Sequence, residues 1–186
     1  MSFDPGAADT AHIEALERHF GDLRDGTHGH HGDTVSRAGK ERHFARAVEL
    51  LEPYALKVLG EFDTALFHEE GRVESSGLQR TADGGLVVNW TLSWAEQRAS
   101  GIDPITLQAY FGPFFHHPHL RGATVREWPL NVFSEEQAAE CVPVLRVVAM
   151  ADLHNLVFQR DFRIVPAIVR DAQGRPVTAA PNAVTR

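Results

Sequence analysis

The stretch LVVNWTLSW, residues 86–94, decides the fold class. Large apolar residues stand at every second position and alternate with mostly polar ones, which is the pattern of a strand with one buried face. The apolar positions are Leu86, Val88, Trp90, Leu92 and Trp94. The preceding TADGG, residues 81–85, carries an Asp-Gly turn signal. The segment is therefore predicted to be the second strand of a β-hairpin.

Two helical patterns precede the hairpin. Residues 10–24 show apolar residues at helical spacing, with Thr10 as the N-cap. The apolar residues of this pattern are Ile13, Leu16, Phe20 and Leu23. A second helical pattern begins at about Arg37, and Pro53 is expected to break it or to begin a further helix as its first residue.

Two shorter segments follow the hairpin. Residues 102–115 are predicted to form a short helix, entered at an Asp-Pro pair and stopped at a Gly-Pro pair. Residues 123–133 are predicted to form a strand, in which Pro129 requires an edge position or a bulge.

The last part of the chain is mostly apolar. Ser134 and Gln137 have the spacing of a capping box, so a helix is predicted to begin there and to be interrupted at Pro143. The following apolar stretch favours a buried helix, although VLRVV alone is also compatible with a strand. RIVPAIV, residues 163–169, is predicted as a final strand.

These elements predict an α+β fold. An antiparallel or mixed sheet, made of the hairpin plus further strands, is expected to pack against helices as a two-layer sandwich. The predicted organisation is an N-terminal helix with a flexible His/Gly loop in residues 1–35. A single α+β domain is expected in residues 36–170 and a disordered tail in residues 171–186.

Composition excludes several classes of function. The net charge of −7 and the lack of any basic run argue against a nucleic-acid partner. Cys141 is the only cysteine, so no intrachain disulfide can form, and a reducing, cytoplasmic setting is expected. Neither a signal peptide nor a membrane span is expected. The sequence also lacks a Gly-rich phosphate loop, a GxSxG elbow, an HExxH pair and a CxxC pair.

The histidine-rich stretch FFHHPHLRG, residues 114–122, is the first candidate site. Pro118 biases the preceding residue toward extended backbone, so His117 and His119 are expected to face the same way. Neutral imidazoles suit a divalent transition metal, and a nearby carboxylate, that of Glu127, is a further ligand candidate. The predicted metal ligands are His116, His117, His119 and, from the late helix, His154.

A metal-free role for the same stretch is the second hypothesis. His117 and His119 are then the candidate acid and base, and the planar guanidinium of Arg121 orients an anionic substrate. The alternative without a functional role is that these histidines lie in a surface loop and pack against Phe114 and Phe115. A second cluster, formed by His28, His30 and His31, lies in a glycine-rich loop that is poorly suited to a preorganised site.

The three tryptophans, Trp90, Trp94 and Trp128, are predicted to form the core between sheet and helices. They are also compatible with an aromatic pocket rimmed by polar residues such as Asn89 and Asn131. In either arrangement a buried indole N–H needs an acceptor.

Two functions of different class remain open. In the first, the protein is an enzyme or sensor whose histidine stretch binds a divalent metal or an anionic small molecule. In the second, it is a non-catalytic accessory subunit whose sheet or helical face binds a protein partner. Self-association into a homo-oligomer is compatible with both.

Overall fold

The computed structural model describes residues 10–24 and 36–177. Six α-helices, six strands and one 3₁₀ turn follow one another in this part of the chain. The helices are α1 (Ala11–Arg24), α2 (Arg37–Leu66), α3 (Ala95–Ala99), α4 (Glu135–Glu140), α5 (Val142–Gln159) and α6 (Pro166–Val169). The strands are β1 (Arg72–Ser75), β2 (Gln79–Arg80), β3 (Leu86–Ser93), β4 (Ile105–Phe111), β5 (His119–Arg121) and β6 (Trp128–Pro129).

All strands pair antiparallel in one sheet of order β1-β3-β4-β5-β6, and β2 also pairs with β3. The predicted hairpin is confirmed, because β2 and β3 are joined by the turn at residues 81–85. Thr81 N donates to Gly85 O at 2.9 Å, and Gly84 takes a φ of +87°, a conformation that glycine adopts without steric cost.

The inner face of the sheet, formed by every second residue of the central strands, is buried against helices α2 and α5. Its members are Leu86, Val88, Trp90, Leu92, Ile105, Leu107, Ala109, Phe111 and Leu120. The opposite face carries mostly polar, partly exposed side chains, apart from the buried Val87. This one-sided burial gives the predicted α+β sandwich of a sheet on helices.

The predicted helix over residues 102–115 is wrong, since the middle of this segment forms β4, which pairs with residues 86–92 of β3. Burial alternates strictly along Ile105–Phe111, the signature of a half-buried strand. The two proline pairs at its ends resembled helix boundaries, but a seven-residue strand satisfies its backbone by pairing with β3.

The predicted strand over residues 123–133 is shortened to the two residues of β6. Pro129 stands at the sheet edge as expected, and Leu130 and Val132 are buried beyond it. The prediction that all three tryptophans are core residues holds for Trp90 and Trp94, whereas Trp128 is 43% exposed.

Helix α2 runs unbroken through Pro53, contrary to the expected break. Pro53 has no N–H to donate to the carbonyl oxygen one turn earlier in the helix. Because Pro53 lies on the exposed side of the helix, that carbonyl oxygen faces solvent. Leu51 and Ala55, on the buried side, keep the helix packed on the sheet before and after the proline.

The late apolar segment is confirmed as a helix, α5, but only one face of it is buried. Ser134 caps α4 by accepting from Gln137 N at 3.3 Å. Together the two helices form a helical stretch, Glu135–Gln159, that is long and apolar enough to cross a membrane by length and composition alone. In this stretch, 28% of the most apolar window is buried. The predicted final strand is wrong, because residues 162–169 form the 3₁₀ turn and α6. Pro166 begins α6, where its missing N–H has no helical partner to lose.

Helix α1 forms where predicted, but the described members of its apolar stripe are not buried. Ile13, Leu16 and Phe20 are exposed, whereas His19 of the same helix is buried. The predicted His28–His31 loop lies outside the described residues, as does the predicted tail beyond residue 177. Residues 171–177 form a turn in which Arg175 N donates to Asp171 Oδ1 at 2.9 Å.

Candidate functional site

The second half of the histidine stretch lies on the outer face of the sheet. Strand register pairs Tyr110 with His119 and Gln108 with Arg121. Because side chains alternate along a strand, all four point away from the helices. We use the name outer-face site for Asn89, Gln108, Tyr110, His119 and Arg121.

Arg121 is the only cation in the outer-face site. Its guanidinium carbon stands 3.9 Å from the ring centroid of Tyr110 and 5.6 Å from that of Phe115. Its Nε is buried without a hydrogen-bond partner, and no described residue forms an ion pair with it. Stacking on aromatic faces therefore holds this charge in place while its donors stay unused.

His119 stands beside this cation. Its ring contacts Phe115 edge-on, with 4.9 Å between centroids, and its Nδ1 is buried without a partner among the described residues. Burial lowers the pKa of His119, the charge of Glu127 opposes this effect, and the nearby Arg121 adds to it. A neutral imidazole next to a fixed guanidinium can accept a proton from a bound molecule.

His117 connects His119 to helix α1. The ring centroid of His117 lies 4.7 Å from that of His119 and 5.7 Å from that of His19. Asn131 Nδ2 donates to His19 Nδ1 at 3.1 Å. Sequence reasoning missed His19, because it precedes His117 by almost a hundred residues and its helical pattern pointed to the other face of α1.

The predicted four-histidine metal site is not formed. Within residues 10–24 and 36–177, no three His, Cys, Asp or Glu side chains are arranged so that they could hold one metal ion. His116 is exposed in the loop before Pro118. His154 is exposed on α5, where its ring contacts Phe158 with 4.6 Å between centroids. The apolar sequence around His154 suggested burial, but the residue lies on the solvent side of a helix that buries only one face.

Amide and phenol groups complete the outer-face site. Gln108 Nε2 donates to Asn89 Oδ1 at 2.8 Å, which leaves Gln108 Oε1 and Asn89 Nδ2 available to a ligand. Tyr110 Oη donates weakly to Asp83 Oδ2 at 3.4 Å. Burial and the charge of Asp83 raise the pKa of Tyr110, so the phenol stays protonated and remains a neutral stacking platform.

A carboxylate on α5 fixes the backbone directly after Arg121. Asp152, which is buried, accepts hydrogen bonds from Ala123 N at 2.9 Å and from Thr124 N at 2.8 Å. Gly122 makes this approach possible, since a Cβ there would stand 2.6 Å from Val148 Cγ1 and 2.7 Å from Asp152 Oδ2. The end of β5 is thus tied to the helix layer, and Arg121 projects from a fixed backbone.

An arginine on α2 fixes the start of the histidine loop. Arg37 Nη1 donates to Gly112 O at 2.7 Å, and its guanidinium carbon lies 4.1 Å from the centroid of the Phe111 ring. Glu41 accepts hydrogen bonds from both Arg37 and Arg80. The bond from Arg80, followed by the bond from Arg37, is the main cause that lowers the pKa of Glu41 to about 2. Both ends of the loop are therefore attached to the rigid part of the fold.

Two further features lie away from the outer-face site. A cleft of about 510 Å³ is lined by residues that include Glu96, Arg160, Asp161 and Arg163. Arg163 is paired there with Asp161, with 2.9 Å between Nε and Oδ1. Because the lining carries the carboxylates of Glu96 and Asp161 as well as Arg160 and Arg163, it suits an anion less well than the surroundings of Arg121 do. Trp94 donates its indole N–H to Ile164 O as expected, whereas the buried Trp90 Nε1 has no acceptor among the described residues.

Comparison with known proteins adds no further information on function. The chain matches no protein-family model, and no curated protein or solved structure is significantly similar to it.

Proposed function

We propose that this protein binds an anionic small molecule, a carboxylate or a phosphate ester, at the outer-face site. The observation that carries the proposal is the state of Arg121, whose guanidinium is stacked on Tyr110 at 3.9 Å and has no carboxylate partner in the described part of the chain. Arginines that serve only structure usually satisfy their donors within the protein, as Arg37 does here.

The surroundings of Arg121 suit an anion. A guanidinium presents parallel N–H donors that match two oxygens of a carboxylate or phosphate, and such charge-assisted bonds are about twice as strong as neutral ones. Stacking on Tyr110 already restricts the rotamers of Arg121 before binding, so little side-chain entropy is lost when a ligand binds. His119 and the free amide nitrogen of Asn89 would add donors to the same ligand, whereas the free Oε1 of Gln108 could accept from a protonated ligand oxygen.

His119 would be the group that exchanges a proton with the ligand. Its lowered pKa keeps it neutral near pH 7 in the empty site. An anion on Arg121 would favour the imidazolium form and raise the pKa of His119 again. His117, in contact with His119, would be the next residue in a proton path toward α1. We propose an anion rather than a metal ion as the ligand, because no three histidines of the described residues are arranged so that they could hold one metal ion.

The test is a titration of the intact protein with acetate, succinate, citrate, inorganic phosphate and a phenyl phosphate. Binding is followed by NMR at the Nε–H of Arg121 and at the side-chain amides of Asn89 and Gln108. We expect saturable shifts for at least one anion, and at least about tenfold weaker binding in Arg121→Gln, because a charge-assisted hydrogen bond contributes about 1.5–3 kcal/mol.

Arg163→Gln is the matched control, because Arg163 is exposed and already paired with Asp161. It should bind the same anion as tightly as the unaltered protein. The proposal fails if none of the five anions gives a saturable response, or if binding persists unchanged in Arg121→Gln.

A further inference from the structure

Helix α5 exposes a continuous apolar stripe on the side that faces away from the sheet. Val147, Met150 and Phe158 are 57%, 59% and 79% exposed, and the exposed His154 lies between them. Residues three and four apart are neighbours on a helix surface, so these side chains form one strip rather than scattered contacts. Contiguous exposed apolar surface of this kind marks an interaction site.

The spacing of this stripe is that of a helix-pairing seam. Moving back along the helical stretch, Pro143, Glu140 and Glu136 continue the same line in alternating steps of three and four residues. Such alternation keeps one line of side chains directed at a neighbouring helix over several turns. The face that α5 buries on the sheet is a different one, formed by Leu145, Val148 and Leu153 among others.

We propose that the stripe is the interface of a homodimer, in which α5 packs antiparallel against α5 of a second copy. The two-fold axis passes near Met150, so Val147 of one copy lies opposite His154 of the other. A contact of this kind uses the same patch on both subunits and closes without exposing further surface.

The distribution of charge along the stripe favours a second copy in this orientation. Glu136 lies at the N-terminal end of the line and Arg160 follows its C-terminal end, and neither forms an ion pair among the described residues. Glu140 is already paired with Arg18, and Arg163 with Asp161. An antiparallel pair places the acidic end of each copy beside the basic end of the other. A parallel pair would instead bring like charges together, which is unfavourable.

The borders of the stripe resemble the polar rim of a protein interface. On one side, Arg146 binds Glu61 of α2 through two hydrogen bonds of 2.8 and 2.9 Å. On the other side, Asn155 Nδ2 donates to Thr124 Oγ1 at 2.8 Å. Both pairs are satisfied within one chain, so a partner helix would cover the apolar centre without leaving these polar groups unpaired.

The overlap of the two helices sets the size of this interface. With Val147 opposite His154, the two copies of α5 overlap over its 18 residues, roughly 27 Å of helix at 1.5 Å per residue. Two such helices in contact, together with the exposed Phe162 beyond their ends, would supply surface toward the 1,200–2,000 Å² or so that stable interfaces bury.

A lipid bilayer fits the apolar stripe of α5 less well than a second copy of the chain does. Asp152, on the opposite side of the same helix, holds two backbone N–H groups of the β5–β6 turn, so α5 is fixed to the sheet. The acidic Glu136 and Glu140 extend the line of the stripe and disfavour insertion into a hydrocarbon layer.

The mass of the protein in solution tests the proposal. Analytical ultracentrifugation from 1 to about 100 μM should give twice the chain mass of 20.6 kDa at the upper end. Met150→Glu and Val147→Glu should weaken the dimer at least about tenfold without changing the circular dichroism spectrum, since both side chains are exposed in one copy. Leu78→Glu is the control, because Leu78 is also exposed and apolar but lies between β1 and β2.

Cysteine cross-linking tests the orientation in a Cys141→Ala background. An equilibrated mixture of Val147→Cys and His154→Cys proteins should form disulfide-linked dimers on mild oxidation, whereas Val147→Cys alone should not. Self-cross-linking of Val147→Cys would show a parallel pair and overturn the proposal. A monomer throughout the concentration range would overturn it as well, as would a monomer that sediments with phosphatidylcholine–phosphatidylglycerol vesicles.

Discussion

The guanidinium of Arg121 on β5 lies over the ring of Tyr110 on β4, with 3.9 Å between guanidinium carbon and ring centroid. The two residues are diagonal neighbours on the outer face, because Arg121 is paired with Gln108 and Tyr110 with His119. This contact joins the two strands that carry the proposed anion site. The strength of the site therefore depends on the aromatic ring as well as on the charge.

Replacing Tyr110 by leucine should weaken anion binding by roughly 3- to 30-fold, because a cation–π contact contributes about 0.5–2 kcal/mol. The anion titration proposed for Arg121 measures this change. Tyr110→Phe is the matched control, since it keeps the ring and removes only the long hydrogen bond to Asp83. Equal loss in the two variants would contradict a stacking role.

The protonation of His119 should make the protein less stable at acidic pH. Burial holds the folded-state pKa of His119 below its ordinary value of 6.5, so the unfolded state takes up the proton first as pH falls. The free energy of unfolding therefore decreases as pH drops below about 6.5. Urea unfolding at pH 7.5 and 5.5 should show a smaller decrease for His119→Gln than for the unaltered protein. An equal decrease would mean that His119 is not the group responsible.

Two glycine-to-alanine substitutions should change stability in opposite directions. Gly122→Ala places a Cβ against Val148 and Asp152, and should lower the free energy of unfolding by about 1–3 kcal/mol. Gly60→Ala lies inside α2 with open space around its Cβ, and should raise the free energy of unfolding by up to about 1 kcal/mol. Thermal and urea unfolding of both variants check the signs, and a stabilising Gly122→Ala would contradict the close approach of α5.

The ion pairs of Glu41 should contribute to stability only above strongly acidic pH. Hydrogen bonds from Arg80 and Arg37 hold its folded-state pKa at about 2, below the ordinary value of 4.5. This contribution is complete above pH 4.5 and is lost as pH falls toward 2. Solvent screening at this partly exposed site limits it to about 1 kcal/mol or less. The free energy of unfolding of Glu41→Gln should therefore fall less between pH 4.5 and 2 than that of the unaltered protein. An equal fall in the two proteins would argue against these ion pairs.

Cys141 should react slowly with thiol reagents in the folded protein. Burial first, and the charge of Glu140 second, raise the pKa of the thiol to about 11, so almost no thiolate exists at neutral pH. Labelling with iodoacetamide at pH 7.5 should be many times slower in buffer than in 6 M guanidinium chloride. Equal rates in the two conditions would show that the thiol is not protected by the fold.

Sequence patterns predicted the elements whose periodicity is local and unambiguous. Alternation over residues 86–94 identified β3, and the Asp-Gly pair identified its hairpin. Ser134 and Gln137 identified the start of α4. β4 was misread although its alternation is equally regular, because proline pairs at its two ends imitate helix boundaries. A short apolar segment obtains its conformation from the strand beside it, and that neighbour is not visible in the segment itself.

The candidate site was only partly predictable for a similar reason. The sequence predicted that His117 and His119 face the same way, and their ring centroids lie 4.7 Å apart. The common face of His119 and Arg121 was not predicted and comes from strand β5. The stacking of Arg121 on Tyr110 depends on the pairing of β4 with β5, which the helical interpretation of β4 concealed. The contact of His19 with His117 joins distant parts of the chain, so no spacing rule could reveal it.

The sequence by itself determined the class of fold, the central hairpin, the capped late helix and the segment in which a site should be sought. These features depend on hydrophobic periodicity, turn residues and caps, which act between residues close together in the chain. Tertiary structure alone decided that Arg121 keeps its donors free, that the histidines of residues 116–119 do not join His154, and that α5 leaves an apolar stripe exposed. These properties depend on which side chains meet across strands and layers, and burial and pairing between distant residues are fixed only when the whole chain packs.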